Sequence, residues 1–114
     1  MNRDEIKEII PHREPMLLVD ETEIIDEHTA HGKLKIRGDE WFLQGHFPGN
    51  PVVPGVILCE SMAQASSIIV ADKARGSTPY FAALGNVRFK DKVKPGDTLE
   101  SVCTLVRSKG AFYF

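Results

Sequence analysis

The longest apolar run in the chain, VILCESMAQASSIIVA from Val56 to Ala71, has a helical period. Val56, Ile57, Leu58, Met62, Ala63, Ala65, Ile68, Ile69 and Val70 cover most of a helix circumference. The pattern predicts a helix from Pro54 to about Lys73 that is buried rather than laid on a surface. Pro54 suits the first turn, where a missing N–H does no harm, and ARGSTP (Ala74–Pro79) closes the segment. Elsewhere the apolar positions alternate. MLLVDETEII (Met16–Ile25) and AHGKLKIRG (Ala30–Gly38) read as strands, the second setting Leu34 and Ile36 against Lys33, Lys35 and Arg37. DEHT (Asp26–Thr29) is the hairpin turn between them. Two further strands are predicted over Tyr80–Val93 and Thr98–Phe114, joined by the turn KPGD (Lys94–Asp97). At the N-terminus, Asn2 and Glu5 form a capping-box pattern for a short helix with Ile6, Ile9 and Ile10 on one face, stopping before Pro11. One long helix among mostly antiparallel strands is an α+β arrangement.

The long helix carries one polar stripe. Glu60, Gln64 and Ser67 stand at i, i+4 and i+7 and so share a narrow face. The stripe either faces solvent or another polar surface, or it holds a buried carboxylate. A buried carboxylate must be hydrogen-bonded or give up its charge, and Gln64 is one turn away to bond it. Upstream, the loop GHFPGNPVVPG (Gly45–Gly55) restrains His46 between Gly45 and the Pro and Gly residues that follow. The helix start leaves backbone N–H groups unpaired, with Gly55 giving a ligand room to approach them. A base, an acid and an oxyanion-binding N–H suit chemistry next to a carbonyl.

Composition narrows the classes. The chain of 114 residues fits one domain, of the usual size of about 50–250 residues, and a chain this short gains from self-association. A formal net charge of −2 argues against general nucleic-acid binding. No apolar signal region opens the chain and no uninterrupted apolar stretch of about 18 residues occurs, so the expectation is a soluble, cytoplasmic protein without a membrane segment. Without a secretion signal, RGD at Arg37–Asp39 is a chance match to an adhesion tripeptide. Cys59 and Cys103 read as small buried hydrophobes, not as a disulfide. His28 and His31 read as solvated turn residues.

HFPGNPVVPG followed by ESMAQ closely resembles the (3R)-hydroxyacyl-(acyl-carrier-protein) dehydratases of type II fatty acid synthesis, the FabZ type. IIPHREPMLLVDE near the start and GNVRFKDKVKPGDTL near the end agree with it, as does the order of the elements between. The resemblance implies the hot-dog fold, an antiparallel sheet wrapped around one central helix, here Val56–Lys73. It implies a homodimer joined edge to edge, commonly a trimer of dimers, with His46 of one chain facing Glu60 of the other. Family members carry a further strand beyond the position of Phe114, so the expectation for 1–114 is a single hot-dog domain short of that strand. Cys59 and Ser61 flank Glu60 where apolar or small residues would be expected.

The activity implied is loss of water from a 3-hydroxyacyl thioester, giving the trans-2-enoyl thioester with no metal or organic cofactor. His46 would take the α-proton, Glu60 would supply a proton to the leaving hydroxyl, and the Gly55 N–H would bind the thioester oxygen. Phe47, Val53, Met62, Phe81 and Phe89 are candidates to line an apolar acyl channel, although each could equally be core. Arg88, Lys90, Lys92 and Lys94 fall at period two and would present a basic row to an acidic acyl carrier protein, unless they are simply a solvated strand face. Rival readings are a hot-dog thioesterase, an isomerising dehydratase and a non-catalytic carrier-binding module.

Overall fold

The computed structural model describes all 114 residues. Helix α1 (Arg3–Lys7) opens the chain with the expected capping box: Asn2 accepts from the Glu5 N–H at 3.0 Å, and Glu5 Oε1 accepts from the Asn2 N–H at 3.0 Å. Its C-terminal carbonyls are closed by Arg13, whose guanidinium donates to Lys7 O at 3.2 Å and Ile10 O at 3.0 Å. Glu14 then bridges back to Arg3 and Lys7 at 3.1 and 3.0 Å. Its own backbone N–H and the Lys7 ammonium pull its carboxyl down to a pKa of about 2. The segment that follows α1 is thereby tied to the helix.

Strands β1 (Glu21–Asp26), β2 (Thr29–Lys35) and β3 (Thr98–Thr104) form an antiparallel sheet in the order β1-β2-β3. The Asp26–Thr29 hairpin turn forms as expected, with a bulge at Ile25, and Leu34 pairs with Leu99 across β2 and β3. Along β2 the alternation is strict: Ala30, Gly32 and Leu34 point inward, and Lys33 and Lys35 point outward. His31 lies within β2 rather than in a turn, its ring 3.5 Å from Glu23 and 3.8 Å from Glu100.

Helix α2 (Gly55–Ser66) crosses the inner face of this sheet and continues through a 3-10 turn (Ser67–Val70) into α3 (Ala71–Ala74). The predicted helix is therefore present, with a change of winding at Ser67. Hydroxyls explain the change. Ser66 and Ser67 donate to Ala63 O, and Thr22 of β1 takes Ala65 O at 2.8 Å, so those carbonyls are shared with side chains. The crossing is close because β2 has a glycine there. A Cβ on Gly32 would stand 2.4 Å from the Ala65 Cβ. Ile6, Ile9, Ile10, Leu17, Val19, Ala30, Ala65 and Ile68 pack at one end of the helix, and Leu18, Leu34, Ile36, Phe42, Leu43, Val53 and Ile57 pack at the other.

Three expectations need correction. The long helix is not buried all round: Ile57, Ser61, Gln64, Ala65 and Ile68 are covered, whereas Val56 is 66% exposed and Met62 is exposed as well. Tyr80–Val93 forms no strand. It runs without a ladder partner through Gly85 and the left-handed Asn86 (φ 55°), and its residues up to Lys92 are exposed. Finally, the strand at the end of the chain stops at Thr104, and the remainder folds into a hairpin of β4 (Ser108–Lys109) and β5 (Phe112–Tyr113). The KPGD turn does form, with Asp97 N–H donating to Lys94 O at 3.0 Å. By length and composition alone Gly55–Ala74 could cross a membrane. Here it is the core helix, bonded to the sheet through Thr22.

Candidate active site

The loop holding His46 is anchored upstream by a 3-10 turn (Trp41–Leu43), whose Phe42 and Leu43 are buried. Gly45 follows at φ +80°, a conformation that costs a side-chain-bearing residue energy. Phe47 and Asn50 then exchange backbone hydrogen bonds at 2.9 and 3.1 Å, closing the tight Phe47–Asn50 turn around Pro48 and Gly49. The backbone of His46 is held from both sides, its N–H donating to Leu43 O and its carbonyl accepting from Val52 N–H at 2.8 Å. The ring stacks on Phe47 with centroids 4.4 Å apart, and Nδ1 lies 2.8 Å from Val52 O. A carbonyl can only accept, so Nδ1 carries the hydrogen and neutral His46 presents the lone pair of Nε2.

Glu60 is on the second turn of α2, partly shielded, and its Oε2 accepts from Gln64 Nε2 at 2.8 Å. The i,i+4 pairing expected from the sequence is thus formed. Gln64 is almost fully buried. Its Oε1 accepts from Leu18 N–H at 2.7 Å, and its Nε2 also donates to Met16 O at 2.8 Å. A second neighbour was not anticipated from the sequence: His12 Nε2 lies 3.5 Å from Glu60 Oε2. Forty-eight residues separate the two, and no local pattern signals such a contact.

Pro54 caps α2, and the amides of Gly55 and Val56 find no acceptor within the chain. The space over Gly55 is occupied by the Phe89 ring, whose atoms lie 2.8–2.9 Å from where a Cβ would stand. Glycine is needed for that approach, and the room expected there for a ligand is filled on the side-chain side of Gly55 by Phe89.

His46 and Glu60 do not meet within one chain: the nearest polar partner of His46 is Val52, and those of Glu60 are Gln64 and His12. Among the proposed channel residues, Val53 is core, buried and bonded to Val93 O. Phe47, Met62, Phe81 and Phe89 are exposed. Arg88, Lys90, Lys92 and Lys94 are exposed and form no ion pair, but with no strand beneath them they do not make an alternating row. Cys59 and Cys103 are free and half-buried. Burial raises the pKa of Cys103, and its thiol donates to Met62 O.

Comparison with known proteins agrees with this architecture. The model of the FabA-like domain family matches residues 10–110. The chain is 46% identical over 116 aligned positions to a 3-hydroxyacyl-(acyl-carrier-protein) dehydratase FabZ of Clostridium perfringens, covering all of this chain and 84% of the relative. The Caldicellulosiruptor bescii FabZ is also 46% identical, covering 96% of this chain and 81% of the relative. The Bacillus subtilis FabZ is 42% identical, covering 96% and 80%. Among solved structures, the dehydratase heterocomplex ApeI:P of Xenorhabdus doucetiae superposes with a TM-score of 0.57 over 75% of this chain and 71% of that one. At 24% identity that likeness concerns the fold, which is the hot-dog fold, an antiparallel sheet packed around one long helix. With its family match and its FabZ relatives, the chain belongs to the FabA-like dehydratase family.

Proposed function

We propose that this chain dehydrates (3R)-3-hydroxyacyl thioesters carried on acyl carrier protein to the trans-2-enoyl thioesters, as a cytoplasmic enzyme of fatty acid synthesis. The observation that carries the reading is that the chain holds both proton-transfer groups in a prepared state. His46 presents a bare Nε2 because Val52 holds Nδ1–H, and Glu60 is a shielded carboxyl group steadied by Gln64. His46 Nε2 takes the α-proton, and the C–H electron pair becomes the new double bond. The C–O bond to the 3-hydroxyl breaks, and protonated Glu60 supplies the proton that lets oxygen leave as water. Proton return from His46 to Glu60 resets the site. Negative charge that develops on the thioester oxygen is met by the unpaired Gly55 N–H at the positive end of α2. The Phe89 ring beside that glycine, with Phe47, Phe81 and Met62, lines the acyl path, and Val53 supports it from the core.

In this reading each site joins His46 of one protomer to Glu60 of its partner, and the separation of the two groups within one chain supports it. Exposed Val56 and Met62 on α2, and the free outer edge of β3, support a two-fold dimer. Arg88, Lys90, Lys92 and Lys94 are free cations for docking the acidic carrier.

The test is turnover of a 3-hydroxyacyl carrier substrate, followed as enoyl absorbance, with His46→Ala beside the parent protein. Wild type should form enoyl product, and the variant should lose at least 10²-fold in kcat, as loss of a general base does. Release of free acid would identify a thioesterase, a 3-enoyl product an isomerising enzyme, and carrier binding without turnover a docking module.

A further inference from the structure

His12 is the one histidine near Glu60 to which the mechanism gives no task. It follows Pro11 in the segment pinned to α1 by Arg13 and Glu14. Its Nε2 stands 3.5 Å from Glu60 Oε2, with only 19% of the His12 side chain and 23% of the Glu60 side chain exposed. The other ring nitrogen, Nδ1, is buried with no hydrogen-bond partner. An unpaired buried nitrogen destabilises a fold, and a residue wanted only for volume would be apolar. The ring is therefore kept for what Nε2 does. We infer that His12 is a positioning residue that, together with Gln64, fixes which oxygen of Glu60 carries the transferred proton.

Glu60 Oε2 accepts from Gln64 Nε2 at 2.8 Å and has His12 Nε2 3.5 Å away, whereas Oε1 has no partner within the chain. A protonated carboxyl has one hydroxyl oxygen and one that only accepts. The Gln64 amide bonds Oε2 and the His12 ring stands against the same oxygen, which makes it the accepting oxygen, so the proton resides on Oε1, the oxygen free to meet the substrate hydroxyl. Without His12 the carboxyl can rotate and share the proton between both positions, and the productive arrangement becomes rarer. This inference rests on the reading of Glu60 as the proton donor.

The test compares His12→Leu, His12→Phe and His12→Gln with wild type on the carrier substrate, each alone and in the Glu60→Gln background. Loss of the polar contact that orients the acid should lower kcat of the Leu and Phe variants about tenfold, with KM within about twofold. The Phe variant keeps a ring in place if Leu loosens the fold. Gln presents a side-chain N–H to Oε2 and should restore kcat to within about threefold of wild type. In the Glu60→Gln background the same changes should add less than about twofold, because His12 acts through the carboxylate. Equal loss in the Gln, Leu and Phe variants would overturn the inference, as would a further tenfold loss in the Glu60→Gln background. Wild-type turnover in His12→Phe alongside a strongly impaired Glu60→Gln would remove the role of His12 alone. Wild-type turnover in Glu60→Gln would instead remove the proton-donor reading itself.

Discussion

Gln64 shows how much one side chain can join. Its amide bonds the backbone of Leu18 and Met16 and the carboxylate of Glu60, so it links the strand-leading segment, the helix and the proposed acid. Only a side-chain amide has the donor and acceptor needed for this set. Gln64→Leu would leave Leu18 N–H buried and unpaired, at a cost of about 1–3 kcal/mol, and would take away the partner of the partly exposed Met16 O. We expect the urea midpoint to fall with the m-value unchanged, and kcat to fall with it. An unaltered midpoint would show that these bonds contribute nothing net. The Glu60–Gln64 pairing was legible in the i,i+4 spacing, because neighbours on one helix face are set by helical geometry. The bonds to residues 16 and 18 were not, since they depend on how the chain returns to the helix.

At the level of elements, the decisive contact is the crossing of α2 over β2. Ala65 reaches the sheet only because residue 32 has no side chain, and the added Cβ of Gly32→Ala would come within 2.4 Å of the Ala65 Cβ. Overpacking of this kind costs about 1–3 kcal/mol. Combining Gly32→Ala with Ala65→Gly should recover part of the loss, less the cost of about 1 kcal/mol for glycine within a helix. Thermal unfolding of the single and double variants checks this: a double variant no more stable than Gly32→Ala would show that the clash lies elsewhere. The alternation in β2 and the capping box of α1 were readable because both are local. The strand expected over Tyr80–Val93 was misread for the complementary reason. Its apolar and basic alternation fits a strand, but extended backbone becomes a strand only where another edge pairs with it, and in this chain none does.

At the level of the whole molecule, the proposed shared site makes a prediction that one-chain catalysis does not. His46→Ala and Glu60→Gln, each left with only residual turnover alone, should complement when co-expressed so that protomers mix. Each mixed dimer has one site with both substitutions and one with neither. Random mixing makes half the dimers mixed, so about a quarter of wild-type activity should return by two-fold symmetry. Activity measured on dimers carrying two different affinity tags decides the matter, and none in a demonstrably mixed dimer would sink the shared site. The half-exposed apolar face of α2 belongs to the same question. Its sequence reads as core all round, yet one chain covers only the face turned to the sheet.

From its sequence alone, this protein determined an α+β domain with one central helix, the capped first helix, the β1–β2 hairpin, the glycine- and proline-bound loop of His46 and the pairing of Gln64 with Glu60. Each follows from residues close in sequence, where backbone restriction and helical or strand period decide the outcome. Tertiary structure alone decided that His46 Nδ1 is held by Val52, that Phe89 covers Gly55 and that His12 lies beside Glu60. The 3-10 turn at Ser67 belongs with these, since a carbonyl nearby is taken by Thr22 of another element. Most of these contacts join segments dozens of residues apart. Such a contact is set by where the sheet and helix bring the segments, and no periodicity within either segment encodes the meeting.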